Sequence, residues 1–146
     1  MAKPTFIHLN VHTEFSIVDS TIRIPQLVKR IQQLGIPAVA ITDMNNVFAT
    51  IKFFNAAKKA GIKPIIGCEV YVAHGSHRDK ASSERSPNHL VVLARNQQGY
   101  LNLMQLMTIA HVDGFHYKPR IDKELLKKYG EGLVVLSGCP SAEVPR

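Results

Sequence analysis

Apolar runs of strand length alternate along the chain with stretches in which apolar residues recur every three or four positions. The first run, TFIHLNV (Thr5 to Val11), predicts a strand. A helix is predicted to open at Pro25, with Leu27, Val28, Ile31 and Leu34 on one face and Gly35 closing it. AVAIT (Ala38 to Thr42) predicts a second strand, leading through Asp43, Met44, Asn45 and Asn46 into a helix that ends at Gly61. KPIIGCEVYV (Lys63 to Val72) is long enough for a buried strand. HGSHRDKASSERSP (His74 to Pro87) is polar and has no period, and so predicts an exposed, mobile loop. Beyond it come a strand from His89 (HLVVLAR), a helix from about Gln97 to His111, a short helix KELLKKY after Asp122, and a strand LVVLS from Leu133.

This alternation predicts an α/β chain whose mostly β-branched strands form a parallel sheet covered by helices, doubly wound or barrel-like. Strand order does not follow from one sequence. The chain stops at CPSAEVPR, just past a strand and with no helix to cover it. That ending is expected of the front part of something longer.

Composition narrows the class. At 146 residues, 45% apolar and 20% charged, the chain is of the size and make-up of one globular domain. It has no apolar run of membrane-span length and no secretory leader pattern, so no membrane association is expected and the expected compartment is the cytoplasm. Two cysteines, Cys68 and Cys139, are too few and too far apart for a disulfide framework. The net charge of +7 favours polyanions, although scattered lysines on helix faces give the same sum.

The candidate chemistry lies at predicted strand ends, where α/β folds gather functional groups. In a strand His8, Asn10 and His12 share one face. His12 with Asp19 follows the first strand, Asp43 the second, and Ser137 with Cys139 the last. Glu69 lies inside an apolar run, where a carboxylate needs a partner or a metal. Plain structural roles compete for most of these: a hydrogen-bonded strand histidine for His8, a helix N-cap for Asp43 and Asp122, a small buried apolar residue for Cys68, and core packing for Met104 and Met107. Together, His, Asp, Glu, His and Cys form a ligand set suited to zinc, manganese or iron.

HLNVHTEFSIVDS, AVAITDMNN, GIKPIIGCEVYVA, NHLVVLARNQQGYLNL and YKPRIDKELLKKYGEGLVVLSGCPSAEVPR occur in this order. In order and spacing they resemble the amino-terminal polymerase and histidinol phosphatase (PHP) domains of the bacterial DNA polymerase III alpha subunits, the C-family replicative polymerases. The resemblance covers nearly the whole chain. It implies that residues 1–146 are the front part of a distorted (β/α)7 PHP-type barrel, truncated before the barrel closes. It also implies that the polymerase catalytic aspartates, with their magnesium, lie further along the parent protein.

The ligand positions that the resemblance implies are His12, Asp19, Glu69, His89 and Cys139, while Asn10 and Met44 stand where active relatives carry histidines. An amide and a thioether are poor replacements. The resemblance therefore implies a vestigial metal site with no catalytic residue. No cofactor is expected for the fragment, with room left for a residual zinc or manganese ion. It further implies a structural and docking role among the DNA polymerase III holoenzyme subunits, especially toward the epsilon proofreading exonuclease, with DNA reached through the parent enzyme. A metal-dependent phosphoesterase or 3′ to 5′ exonuclease is the alternative reading.

Overall fold

The computed structural model describes residues 6–80 and 87–137. Among the described residues, five strands and four α-helices follow in the order α1 (Ile24–Gln33), β1 (Ala38–Ile41), α2 (Thr50–Lys59), β2 (Lys63–Val72), β3 (Asn88–Ala94), α3 (Gln97–Val112), β4 (Arg120–Ile121), α4 (Lys123–Lys128) and β5 (Leu133–Leu136). The helices obey their sequence signals. Pro25 sits in the first turn of α1, and Ile24, Val28 and Ile31 recur on its buried face. Gly35 and Gly61 take positive φ just past the ends of α1 and α2, the backbone state glycine adopts at least cost. Leu34 is past the end of α1, and is exposed instead of continuing the apolar face. Asp122 caps α4 by accepting from the Leu125 amide at 2.9 Å, as expected.

The sheet runs β1-β2-β3-β5, with β4 paired to β2. β1 and β4 lie parallel to β2, whereas β3 is antiparallel to both β2 and β5. The expectation of an all-parallel sheet therefore fails at β3, and the reversal places the start of β3 beside the end of β2, with Tyr71 opposite His89.

The first predicted strand is also different. His8 to Val11 runs beside β1, with the Ala40 amide donating to the His8 carbonyl (2.9 Å) and the Thr42 amide to the Val11 carbonyl (2.8 Å). Three residues are thus spanned on one side against two on the other, which breaks a regular ladder. The segment is extended without being a named strand.

Alternation splits the sheet into two faces. Cys68, Val70, Val72, Leu90 and Val92 pack against Leu103, Leu106, Met107 and Ala110 of α3. On the β1 side, Val39 and Ile41 pack with Ile24, Val28, Ile31, Phe53 and Ala57 of α1 and α2. The opposite face carries a smaller apolar layer of Ala40, Val91 and Leu93, with Ile65 and Leu136 against it. Glu69 and His89 share the strand parity of that layer.

The polar segment after β2 is not wholly an exposed loop. His77 is buried, and its backbone amide donates to Asp122 Oδ2 at 2.9 Å. Its ring Nδ1 bonds the same oxygen at 2.5 Å. Arg120, fully buried, donates to the carbonyls of Gly114, His77 and Asp79. An arginine placed in the interior must satisfy its donors there, and the backbone of this segment supplies two of these acceptors, at His77 and Asp79. Residues 81–86 of the loop lie outside the described residues.

Candidate functional site

At the end of β1 and β2 away from Lys63, four elements bring polar side chains together. Glu69 is the centre: it sits on β2 with only 5% of its surface exposed. His12 Nε2 donates to Glu69 Oε2 at 2.8 Å, and His89 Nδ1, from the start of β3, bonds Glu69 Oε1. Asn10 Nδ2 also reaches Oε2, at 3.4 Å. Asn10 Oδ1 in turn accepts from Thr42 Oγ1 at 2.6 Å, and the same hydroxyl accepts from the Val11 amide at 3.0 Å. Gly67 lets β3 approach closely on this face. A Cβ there would meet Leu93 Cδ2 and the Val92 carbonyl oxygen, each at 2.6 Å.

These contacts set the charge of the cluster. Burial pushes the Glu69 carboxyl up, but the hydrogen bonds from His12 and His89 outweigh it and hold the group below its ordinary range. His12 is correspondingly raised above its ordinary 6.5, first by its bond to Glu69 and against the effect of its own burial. Both carboxylate oxygens are thus occupied by imidazole donors. The cluster can hold and share protons.

Asp43 forms a second knot behind the first, with 2% of its surface exposed. Its carboxylate accepts from the Thr13 amide (2.6 Å), the Thr13 hydroxyl (2.8 Å) and the Ser16 hydroxyl (2.7 Å). It does not cap α2, whose N-cap is Ala49, so the cap expectation is corrected: Asp43 instead pins the turn that carries His12. Thr13 and Ser16 were not legible as site partners, since a Thr and a Ser in a polar stretch carry no signal of a contact some thirty residues away.

The remaining expected positions are placed as follows. Met44 lies half-buried beside Glu69 in an isolated parallel bridge, its amide donating to Ser16 Oγ at 3.1 Å. Asp19 is exposed and acts on His12 only through its charge. His8 leaves the cluster and packs edge-on against Phe6, with ring centroids 4.8 Å apart. Cys68 faces α3, its thiol near the Asp43 carbonyl and Met107 Sδ, and burial raises its pKa strongly, as for an inert core thiol. Ser137 is exposed and Cys139 lies outside the described residues.

Sequence reasoning also missed the rim beyond His89. Lys118 Nζ lies 4.2 Å from the Tyr71 ring centroid and 3.1 Å from its hydroxyl, and the Tyr71 ring stands 6.5 Å from that of His89.

Among the described residues, no group of three His, Cys, Asp or Glu side chains is arranged to hold a metal ion. The donors that converge bond to one another, with the side-chain amide of Asn10 beside them.

The comparisons with known proteins agree on the family. Residues 8–146 match the PHP domain family. The DNA polymerase III subunit alpha of Aquifex aeolicus is 46% identical over 92% of this chain, and that of Treponema pallidum 43% identical over 99%. The chain spans only 12% and 13% of the length of these relatives. Among solved structures, an amidohydrolase from Chromobacterium violaceum with bound sulfate superposes with a TM-score of 0.52 at 21% identity, over 71% of this chain and 32% of that one. This likeness shows the fold, a partial barrel of alternating strands and helices. No helix among the described residues is long and apolar enough to cross a membrane. With its family match covering all but the first seven residues, the chain belongs to the PHP domain family.

Proposed function

We propose that this chain is the amino-terminal PHP portion of a bacterial DNA polymerase III alpha subunit. In it the PHP fold serves as a structural and docking module for the proofreading exonuclease, the epsilon subunit, in the cytoplasm. The identity to alpha subunits along nearly the whole chain supports the parentage. One observation carries the loss of catalysis: Glu69, the central carboxylate, has both oxygens bonded by His12 and His89, with the neutral amide of Asn10 as its further neighbour. Met44 beside it adds only a thioether. On this reading His12, Asp19, Glu69, His89 and Cys139 are vestiges of a ligand set, able to retain at most a single zinc or manganese ion. The fragment has no cofactor of its own, and magnesium belongs to the polymerase site elsewhere in the parent.

The convergence of His12, Glu69 and His89 favours a second reading, a metal-dependent phosphoesterase or 3′ to 5′ exonuclease. Metal content per chain separates the two. The full-length alpha subunit carrying this sequence is dialysed, analysed by mass spectrometry, assayed on a phosphodiester with added manganese, and titrated with the epsilon subunit. The expected result is less than about a tenth of an ion per chain, no manganese-dependent hydrolysis, and saturable epsilon binding. Two or more tightly held ions with hydrolysis would overturn the docking reading in favour of the enzyme.

A further inference from the structure

The other end of the sheet is unlike the site end in charge. Between Ser20 and Cys68 the chain has seven Lys and Arg and a single acid, Asp43, which is buried. Arg23 and Lys52 pair with Glu14. The other five, Lys29, Arg30, Lys58, Lys59 and Lys63, are all exposed and form no ion pair among the described residues.

The topology gathers Arg30, Lys58, Lys59 and Lys63 at one end, while Lys29 lies partway along α1. Lys63 opens β2 opposite Ala38, the start of β1, and α1 and α2 finish beside one another, with Gln32 Nε2 donating to the Ala60 carbonyl at 3.4 Å. Because β3 is antiparallel, its last residue and the following Arg95 reach the same end. Pro64 joins the parts. It lines a cavity of about 290 Å³ with Lys58 and Lys63, and a second of about 380 Å³ with Arg95, Asn96 and Gln97. The second cavity opens on the start of α3, whose first turn has no acidic residue to offset the positive end of the helix dipole. Among the described residues, the exposed acid near the start of α3 is Glu131, whose carbonyl accepts from Asn102 Nδ2 at 2.9 Å. Lys63 stands six residues before Glu69 along one strand, about 20 Å away, so the strip is separate from the site.

Compensation of helix dipoles explains Arg30, Lys58 and Lys59, which lie in the last turns of α1 and α2. It does not explain Lys63 and Arg95 at strand ends, which form no ion pair among the described residues. We propose that this end of the sheet is a docking surface for the phosphate backbone of duplex DNA, bound by charge without reading of bases. The occupant follows from charge complementarity: duplex DNA presents one negative charge per ~1.7 Å of axis, and lysines on flexible stems without fixed partners match phosphates at several positions. Sequence readout would require side-chain forks held in place, and none of these cations is held.

The test is fluorescence anisotropy of a labelled duplex of about 20 base pairs titrated with the 146-residue chain at about 50 and 200 mM salt. The combined variant Lys58→Gln, Lys63→Gln, Arg95→Gln is expected to bind about tenfold or more weakly. It should also show a log affinity against log salt slope smaller by about 2 to 3, near 0.9 for each lost phosphate contact. The pair Arg23→Gln, Lys52→Gln, at the opposite end, is expected to change affinity less than about twofold. Thermal melts of all three proteins establish that the exposed substitutions leave the fold intact. Wild-type binding weaker than about 0.1 mM at low salt, or equal loss in the two variants, overturns the proposal. Displacement of the duplex by poly-glutamate at equal charge also overturns it, assigning the strip to an acidic protein.

Discussion

Asp43 shows at the scale of one residue how far composition and neighbours reach. An aspartate ahead of a helix is a good cap by type, yet this one is drawn inward to accept three hydrogen bonds from Thr13 and Ser16. The difference is burial. A carboxylate with 2% exposure must find donors nearby, and the turn after His12 presents a backbone amide and two hydroxyls. Asp43→Ala leaves those donors unpartnered and is expected to destabilise the chain by about 4 kcal/mol, read from the urea midpoint at unchanged slope. A loss under about 1 kcal/mol would show that the knot does not support the fold. Glu69 was legible because it is a lone acid in an apolar run. Thr13 and Ser16 were not, because hydroxyls are at home in polar stretches and their partner is distant in sequence.

At the scale of elements, helix ends were the most legible feature. The stops at Gly35 and Gly61 and the Asp122 cap are local chemistry, decided within a turn of chain. Gly99 is the opposite case. A glycine near the start of a helix invites replacement by alanine, which ordinarily gains about 1 kcal/mol. Here α3 lies against the turn before β5, and a Cβ on Gly99 would stand 1.9 Å from the Gly132 carbonyl oxygen. Gly99→Ala is therefore expected to destabilise by about 3 kcal/mol, reversing the sign of the helix propensity, as measured by thermal unfolding. A neutral or stabilising result would mean the turn moves aside at no cost. The direction of β3 was equally hidden, since a strand reads the same from either end. It decides that His89, at the beginning of its strand, meets Glu69 near the end of another.

Across the whole molecule, the segment after β2 is tied to the far part of the chain through Asp122, which caps α4 and holds His77 at once. Burial opposes charge on Asp122, but the His77 amide and ring and the Leu125 amide prevail and hold the carboxyl below its ordinary 3.8. A carboxyl depressed on folding adds stability that is complete above its unfolded value and is lost as pH falls through the folded value. The melting temperature of the native chain should therefore exceed that of Asp122→Asn at neutral pH, and the gap should close as pH drops through 3.8 and below. A gap unchanged down to about pH 2 would remove Asp122 from the acid response.

The α/β class, the order of the helices and their C-terminal stops, the long strand β2 and the polar residues worth suspecting were legible in the chain, because periodicity, glycine stops and capping act between neighbours, although the start of α2 at Thr50 was not. The tertiary structure alone decided the antiparallel course of β3, the broken pairing that takes His8 away while Asn10 and His12 stay, the partners of Asp43, and the gathering of unpaired cations at the end of the sheet opposite the site. Those features depend on which residues meet across long separations, and that is fixed by strand register and burial of the whole chain.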